Sequence, residues 1–432
     1  MKEFTDRQIV NALKIDSIGR NQQLSILMKF FNSFDSNTVI SIDGPWGSGK
    51  TVFVKQLKML SESDQIELPD HGPSIDINAL KKFRDKYSVY YFNAWEHDYL
   101  SDPLEALLYR LINDFSKNES MNTAKKVANK LDLAGLVKNI SKDAIDLESM
   151  TTNEQLTAEI KTIINRKDSV DKILEKYLDT SNKRMLFIID ELDRCRPSFA
   201  VELLETIKHY FDNDRIVFLI ASNASELKHT IKKFYGIGFD GAKYLNRFFG
   251  YSVGLNSIDR EKYITAQLGV KKDDHFKNSI PHDIATYLDL TMREIDSFFT
   301  PLKLLDNYMS RNNHWQPGAK AWLTQVVFVP LALALRTTQD ARYEEFVNGK
   351  GADVLNEFCS QSKKVFRLAE SLIENKNNMS DETLKAFIKS TYLSLFKDGD
   401  GSDGKLQRDE FHDVINLVSS YASIGDQGDE VE

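Results

Sequence analysis

The sequence predicts an α/β layer fold with a mostly parallel sheet, interrupted by a helical insertion and followed by a helical domain. Three observations predict it. Short apolar, β-branched or aromatic runs alternate with longer helical periodicities over the first 255 residues. Those runs are almost continuously apolar, as expected of strands buried on both faces of a parallel sheet. After about Leu255 no strand pattern returns. Strand–helix alternation of this kind is the mark of an α/β layer architecture.

The elements follow in order. Thr38–Asp43 (TVISID), Tyr87–Phe92 (YSVYYF), Met185–Ile189 (MLFII) and Ile216–Ala221 (IVFLIA) read as strands. Helical periodicity follows each, at Lys50–Leu60, Leu104–Phe115, Phe199–Phe211 and Ser225–Phe234. Between Ser116 and Lys183 the chain turns polar and helical, rich in Lys, Asp and Asn, which reads as an insertion between two strands. The expected domains are therefore residues 1–255, with the insertion at about 116–183, and residues 256–432, ending in an acidic tail (GDQGDEVE) expected to be disordered.

A chain of 432 residues exceeds what one hydrophobic core usually serves, in keeping with two domains. A net charge of −8 argues against a broad footprint for nucleic acid. Its two cysteines suit a reducing cytosol, so a cytoplasmic location is expected. The N-terminus lacks the apolar core of a signal peptide. The longest uncharged run, Ala321–Leu335 (AWLTQVVFVPLALAL), contains Pro330 and is shorter than the roughly 20 residues that span a bilayer, so a buried helix and no membrane span are expected.

Gly44-Pro45-Trp46-Gly47-Ser48-Gly49-Lys50-Thr51 fits G-x-x-x-x-G-K-[ST] at every required position, between a strand and a helix. The glycines let successive backbone N–H groups face phosphate oxygens, and the helix beginning near Lys50 adds its positive end. Lys50 is expected to reach the β- and γ-phosphates of ATP, and the Thr51 hydroxyl to ligate Mg²⁺. The expected nucleotide contacts are this loop together with Val52. The fold class becomes an α/β P-loop NTPase.

A second strand, Met185–Ile189, runs into Asp190 and Glu191. Asp190 at its tip suits the Mg²⁺ role, and Glu191 is then placed to orient or deprotonate the attacking water. In the run that follows, Asp193, Arg194 and Arg196 fit either site electrostatics, an oligomer contact or an ion-paired turn, and Cys195 reads as packing. Asn223, after the fourth strand, fits two roles: sensing the γ-phosphate, or capping the next helix.

These residues resemble the KAP-type P-loop NTPases, a STAND-related group that includes bacterial phage-exclusion and defence proteins. The likeness rests on Asp16-Ser17-Ile18-Gly19-Arg20, the G-x-W-G-S-G-K-T form of Gly44–Thr51, Phe92-Asn93-Ala94-Trp95, I-D-E-L-D-R-C at Ile189–Cys195, and Tyr244-Leu245-Asn246-Arg247-Phe248. Leu290–Ile295 (LTMREI) is similar to an element of the C-terminal domain. The resemblance covers roughly residues 15–347. It implies that Gly19 and Arg20 lie near the adenine and that Arg293 acts as a second sensor, against the plain alternative of an exposed helical arginine. For Arg247 three roles stay open: an arginine finger in trans, a same-chain phosphate contact, or a surface residue. Two departures stand out. The transmembrane helices of many members are missing from 116–183, and Glu191 replaces a commoner aspartate, which favours hydrolysis.

Three other signals are set aside. Asn129-Lys130-Leu131-Asp132 has a guanine-reading form, but in a helical context and ahead of Asp190. The acidic stretch 398–410 approaches a calcium-loop pattern with one residue too many, so a solvated linker is expected. The eight histidines form no pair at metal-ligand spacing. Two function classes remain. One is an ATPase that drives or times a conformational change in a homo-oligomer or with a partner protein. The other is a nucleotide-gated scaffold with little or no hydrolysis.

Overall fold

The computed structural model describes residues 5–62, 75–117, 166–175, 177–179, 181–270, 275–312, 319–373, 379–396 and 415. The N-K-x-D run, most of the expected insertion, the 398–410 stretch and the acidic tail lie outside these residues.

Chain contacts divide the protein into two units. One comprises Phe4–Lys14 and Arg20–Asn256, the other Met1–Glu3, Ile15–Gly19 and Ser257–Glu432. The division falls close to residue 255, but Ile15–Gly19 goes with the helical unit. There the Asp259 N–H donates to the Ile18 carbonyl at 3.1 Å and Lys262 pairs with Asp16 at 3.6 Å.

The first unit is built on five parallel strands: β1 (Thr38–Asp43), β2 (Tyr87–Asn93), β3 (Arg184–Asp190), β4 (Ile216–Ser222) and β5 (Tyr251–Gly254). Their order across the sheet is β2-β3-β4-β1-β5. Successive side chains along a strand point to opposite faces, and here each face has its own core. Leu186, Ile188, Val217 and Leu219 pack with Phe53, Leu57, Leu27 and Phe31 on one side. Phe187, Ile189, Phe218 and Ile220 pack with Leu107, Leu111, Val201 and Leu204 on the other. Phe187 and Phe218, neighbours in register, stack with ring centroids 5.1 Å apart.

The fifth strand escaped the sequence reading. Tyr251–Gly254 lies at the sheet edge and is mostly exposed, so it carries no apolar run. Residues 166–175, inside the expected insertion, are helical, and Val170, Ile173 and Leu174 join the second core.

Among the described residues of the second unit, the regular elements from Arg260 onward are helices. The run Ala321–Leu335 is buried as expected except at Trp322 and Gln325, but not as one α-helix: Thr324–Phe328 forms a π-helical turn before Val329–Thr337. Pro330 explains the break, because it has no N–H and its ring would clash with the carbonyl four residues earlier. Among the described residues no helix is long and apolar enough to cross a membrane.

Cys195 and Cys359 are unpaired and buried, and burial pushes the Cys359 thiol up to about 12 and Cys195 in the same direction. The thiolate is the reactive form. Native protein at pH 8 should therefore resist iodoacetamide, and both cysteines should alkylate once it is unfolded. Mass spectrometry of the two samples checks this.

Candidate nucleotide site

The sheet order sets the site. β4 lies between β1 and β3, and the register aligns Asp43 with Ser222, Ala221 with Asp190, and Asp190 with Asn93. Four strand tips thus form one row, and the glycine loop rises from it directly after Asp43. The Asp43 carboxylate accepts the Ala224 N–H at 2.9 Å, tying the exits of β1 and β4 together.

The loop has the backbone that its sequence implies. Gly47 and Gly49 adopt φ values of 78° and 85°, in the left-handed region that favours glycine. A Cβ at Gly44 would fall 2.8 Å from Ser48 Oγ, so that glycine is needed for closeness rather than for φ. The helix Lys50–Glu62 follows, and Val52 buries its side chain in the first turn. Lys50 folds back over the loop, donating to the carbonyls of Gly44 at 2.6 Å and Pro45 at 3.0 Å. Burial pushes the Lys50 pKa down, against the pull of Asp193, Asp190 and Asp43. A buried ammonium held on neutral carbonyls is a natural partner for an anion.

Asp190 is buried at the tip of β3, and burial raises its pKa. Its carboxylate accepts from the Tyr91 hydroxyl at 2.9 Å, the Glu191 N–H at 2.9 Å and the Thr51 hydroxyl. The two residues expected to hold a metal are therefore in direct contact. Ser48 Oγ and Ser222 Oγ are buried without a hydrogen-bond partner, so the loop and the adjoining strand tip keep polar capacity to spare. This donor set fits a phosphate chain and a hard cation.

Glu191 leaves the strand at φ 58°, ψ 29°, a left-handed conformation that costs a non-glycine residue about 1–3 kcal/mol. Its carboxylate pairs with Arg194 at 3.1 Å. Of the roles open to the following residues, two are seen together: Arg194 forms an ion-paired turn with Glu191, and Asp193 and Arg194 both act on the charge of Lys50. Asp193 accepts the Trp46 indole N–H at 2.6 Å, and Arg196 pairs with Asp98 at 3.7 Å.

Other residues singled out by sequence fall into place one by one. Asn223 caps Ala224–Tyr235, accepting the N–H groups of Ser225 at 3.1 Å and Glu226 at 3.4 Å. Its Oδ1 is thus used locally, while its amide N–H₂ is a separate donor. Arg20 is buried, and its guanidinium donates to the Ser48 carbonyl at 2.7 Å and to that of Asn256 at 3.1 Å. It braces the loop against the chain leaving β5, and burial lowers its pKa to about 10. Gly19 has φ 75° and lies in the helical unit, where a Cβ would meet Asp259 at 2.8 Å. Arg293 is exposed in the first turn of Met292–Asn312, also in that unit. Arg247 is exposed in the turn before β5, where Gly250 bonds to Val39 near the start of β1. At about 3.3 Å per residue, Val39 is about 16 Å from Gly44, so Arg247 stands toward the end of β1 opposite the loop.

Sequence reasoning gave no role to Tyr91, whose only signal was its place one residue before Phe92-Asn93-Ala94-Trp95. That run also gains a structural meaning. Asn93 Oδ1 accepts the Trp95 N–H at 3.1 Å, Asn93 Nδ2 donates to Glu96 at 2.9 Å, and the Ala94 N–H donates to the Asp190 carbonyl at 2.9 Å. It fixes Trp95, half exposed, beside the acidic tip of β3.

A parallel sheet with one strand between the loop strand and the acid strand, and a glycine loop opening a helix, defines a P-loop NTPase with a nucleotide-binding site. The model of the KAP family P-loop domain matches residues 20–310, more than half of the chain, and the chain belongs to that family. No curated protein matches it. Among solved structures it is similar to the Aeropyrum pernix ORC2 protein in ADPNP and ADP complexes. The identity is 12%, 98% of this chain and 87% of that chain are covered, and the TM-score is 0.36.

Proposed function

We propose that this protein binds ATP with Mg²⁺ and hydrolyses it, and that turnover drives or times a conformational change in a larger assembly. The observation that carries this reading is the row of strand tips that brings Lys50, the Thr51–Asp190 pair and Glu191 to one place. Lys50 would exchange its loop carbonyls for the β- and γ-phosphate oxygens. Thr51 and Asp190 would hold Mg²⁺, which neutralises charge on the phosphates when bound. Glu191 would align or deprotonate the attacking water, and the free amide N–H₂ of Asn223 would hold the γ-phosphate. Gly19, Arg20 and Arg293 keep the adenine and sensor roles implied by the family resemblance only as part of this proposal. Arg20 supports the loop through Ser48 in any case.

Arg247 is proposed to act in trans, because its place toward the far end of β1 suits a neighbouring copy better than its own loop. Equimolar Arg247→Ala and Lys50→Ala proteins, each nearly inactive alone, should regain roughly a quarter to a half of wild-type phosphate release when mixed. No regain on mixing would remove the homo-oligomer from the proposal. Phage defence is proposed from the family resemblance alone. A second reading, a nucleotide-gated scaffold with little hydrolysis, is favoured by the ion pair that engages Glu191. Phosphate release measured beside particle size, with and without ATP·Mg²⁺, separates the two readings.

A further inference from the structure

Arg194 pairs with the carboxylate of Glu191, and the proposed function gives it no role. It lies in the short 3₁₀ turn Leu192–Arg194 that follows Glu191. Its guanidinium is held between two groups: the Glu191 carboxylate at 3.1 Å and the Trp95 ring, whose centroid is 5.4 Å away. Neither hold is fully sealed from water. The Arg194 side chain keeps 27% of its exposure and Trp95 keeps 51%, so water reaches the guanidinium and the ring, while the Glu191 side chain is 13% exposed. Arg194 is also near enough to Lys50 for its charge to oppose that ammonium. The turn that carries Arg194 is tied to the glycine loop, because the neighbouring Asp193 accepts the Trp46 indole N–H at 2.6 Å, so the guanidinium sits beside the loop that would hold a terminal phosphate. A phosphate oxyanion offers a guanidinium two parallel charge-assisted hydrogen bonds, where Glu191 provides one N–O contact and Trp95 a ring face.

We propose that Arg194 reads the γ-phosphate. With no γ-phosphate it rests on Glu191 and Trp95; a γ-phosphate draws it away and releases the Glu191 carboxylate from this ion pair. The proposal rests on the P-loop reading of the site. It assigns a purpose to three features together. The left-handed backbone at Glu191 turns the chain back so that a residue three positions on meets its carboxylate. Asn93 fixes the backbone that presents Trp95. Trp95 in turn provides a resting place that keeps Arg194 within reach. A ligand shifts such an equilibrium only by its differential affinity for the two states. ADP, lacking the γ-phosphate, should leave Arg194 where it is. Arg194 is thus a positioning residue for Glu191 and a discriminator between triphosphate and diphosphate.

The test uses full-length protein, a non-hydrolysable ATP analogue and ADP, each with Mg²⁺. Removing a cation from an indole face changes its emission. The analogue should alter tryptophan fluorescence in a way that ADP does not, and this difference should vanish in both Trp95→Phe and Arg194→Ala. By calorimetry, Arg194→Ala should lower the preference for the analogue over ADP by about tenfold, with Arg194→Lys intermediate. Circular dichroism confirms that each variant is folded. Identical emission with the two nucleotides in wild-type protein would overturn the proposal. So would an unchanged preference in folded Arg194→Ala or Arg194→Lys. Binding of neither nucleotide by the wild type would instead overturn the P-loop reading, and this proposal with it.

Discussion

Replacing Lys50 by alanine should lower affinity for ATP·Mg²⁺ at least about a hundredfold, while the protein stays folded. The ammonium is buried and points back onto the loop, with the carbonyls of Gly44 and Pro45 as partners. Hydrogen bonds to charged groups contribute about 1.5–3 kcal/mol each. Losing two at the phosphates therefore exceeds the roughly 2.7 kcal/mol that a hundredfold requires. The empty protein should lose far less. Lys50→Ala strips two carbonyls of a donor, but it also removes a cation whose charged form burial disfavours, and the carbonyls lie on an accessible loop open to water. Calorimetry with ATP·Mg²⁺, together with a thermal melt of the variant, checks both halves. Affinity within threefold of wild type would remove the loop from the binding site.

How far the sequence could be read depended on whether a residue's role is local. The buried strands announced themselves because each face of β3 and β4 meets a full layer of apolar side chains. The glycine loop was legible because backbone geometry is written in consecutive residues. β5 was not, since an exposed edge strand needs only ladder bonds to β1 and leaves no apolar pattern. Long-range partners were equally silent. Nothing near Tyr91 in sequence tells that its hydroxyl donates to Asp190, 99 positions away. Likewise Arg20, associated with adenine by resemblance, has its guanidinium on the backbone of Ser48 and Asn256. The short-range alternatives proved the readable ones: Asn223 does cap its helix, and Arg194 does pair within its own turn.

Glu191→Gln should hold ATP·Mg²⁺ within about threefold of wild-type affinity and slow turnover by about 10²–10⁴-fold, the usual worth of a positioned general base. The two acids at the end of β3 differ in a way that makes this split expected. Asp190 is sealed among Tyr91, Thr51 and the Glu191 N–H, where it serves the metal end of the site. Glu191 turns out of the strand into a left-handed conformation, and its carboxylate meets Arg194 rather than the buried tip. Glutamine keeps the size and one acceptor oxygen, so the turn and the nucleotide pocket should survive, but it cannot take a proton from water. A slowed variant should also accumulate whatever assembly forms with ATP, visible as a persistent larger species in light scattering. If turnover instead stays within about twofold, less than roughly 0.5 kcal/mol of the barrier depends on that carboxylate. Asp193 would then be the nearest alternative base, though its Oδ2 is already engaged by the Trp46 indole. Loss of activity in Asp193→Asn would move the catalytic role there, and retention in both variants would leave the nucleotide-gated scaffold as the better account.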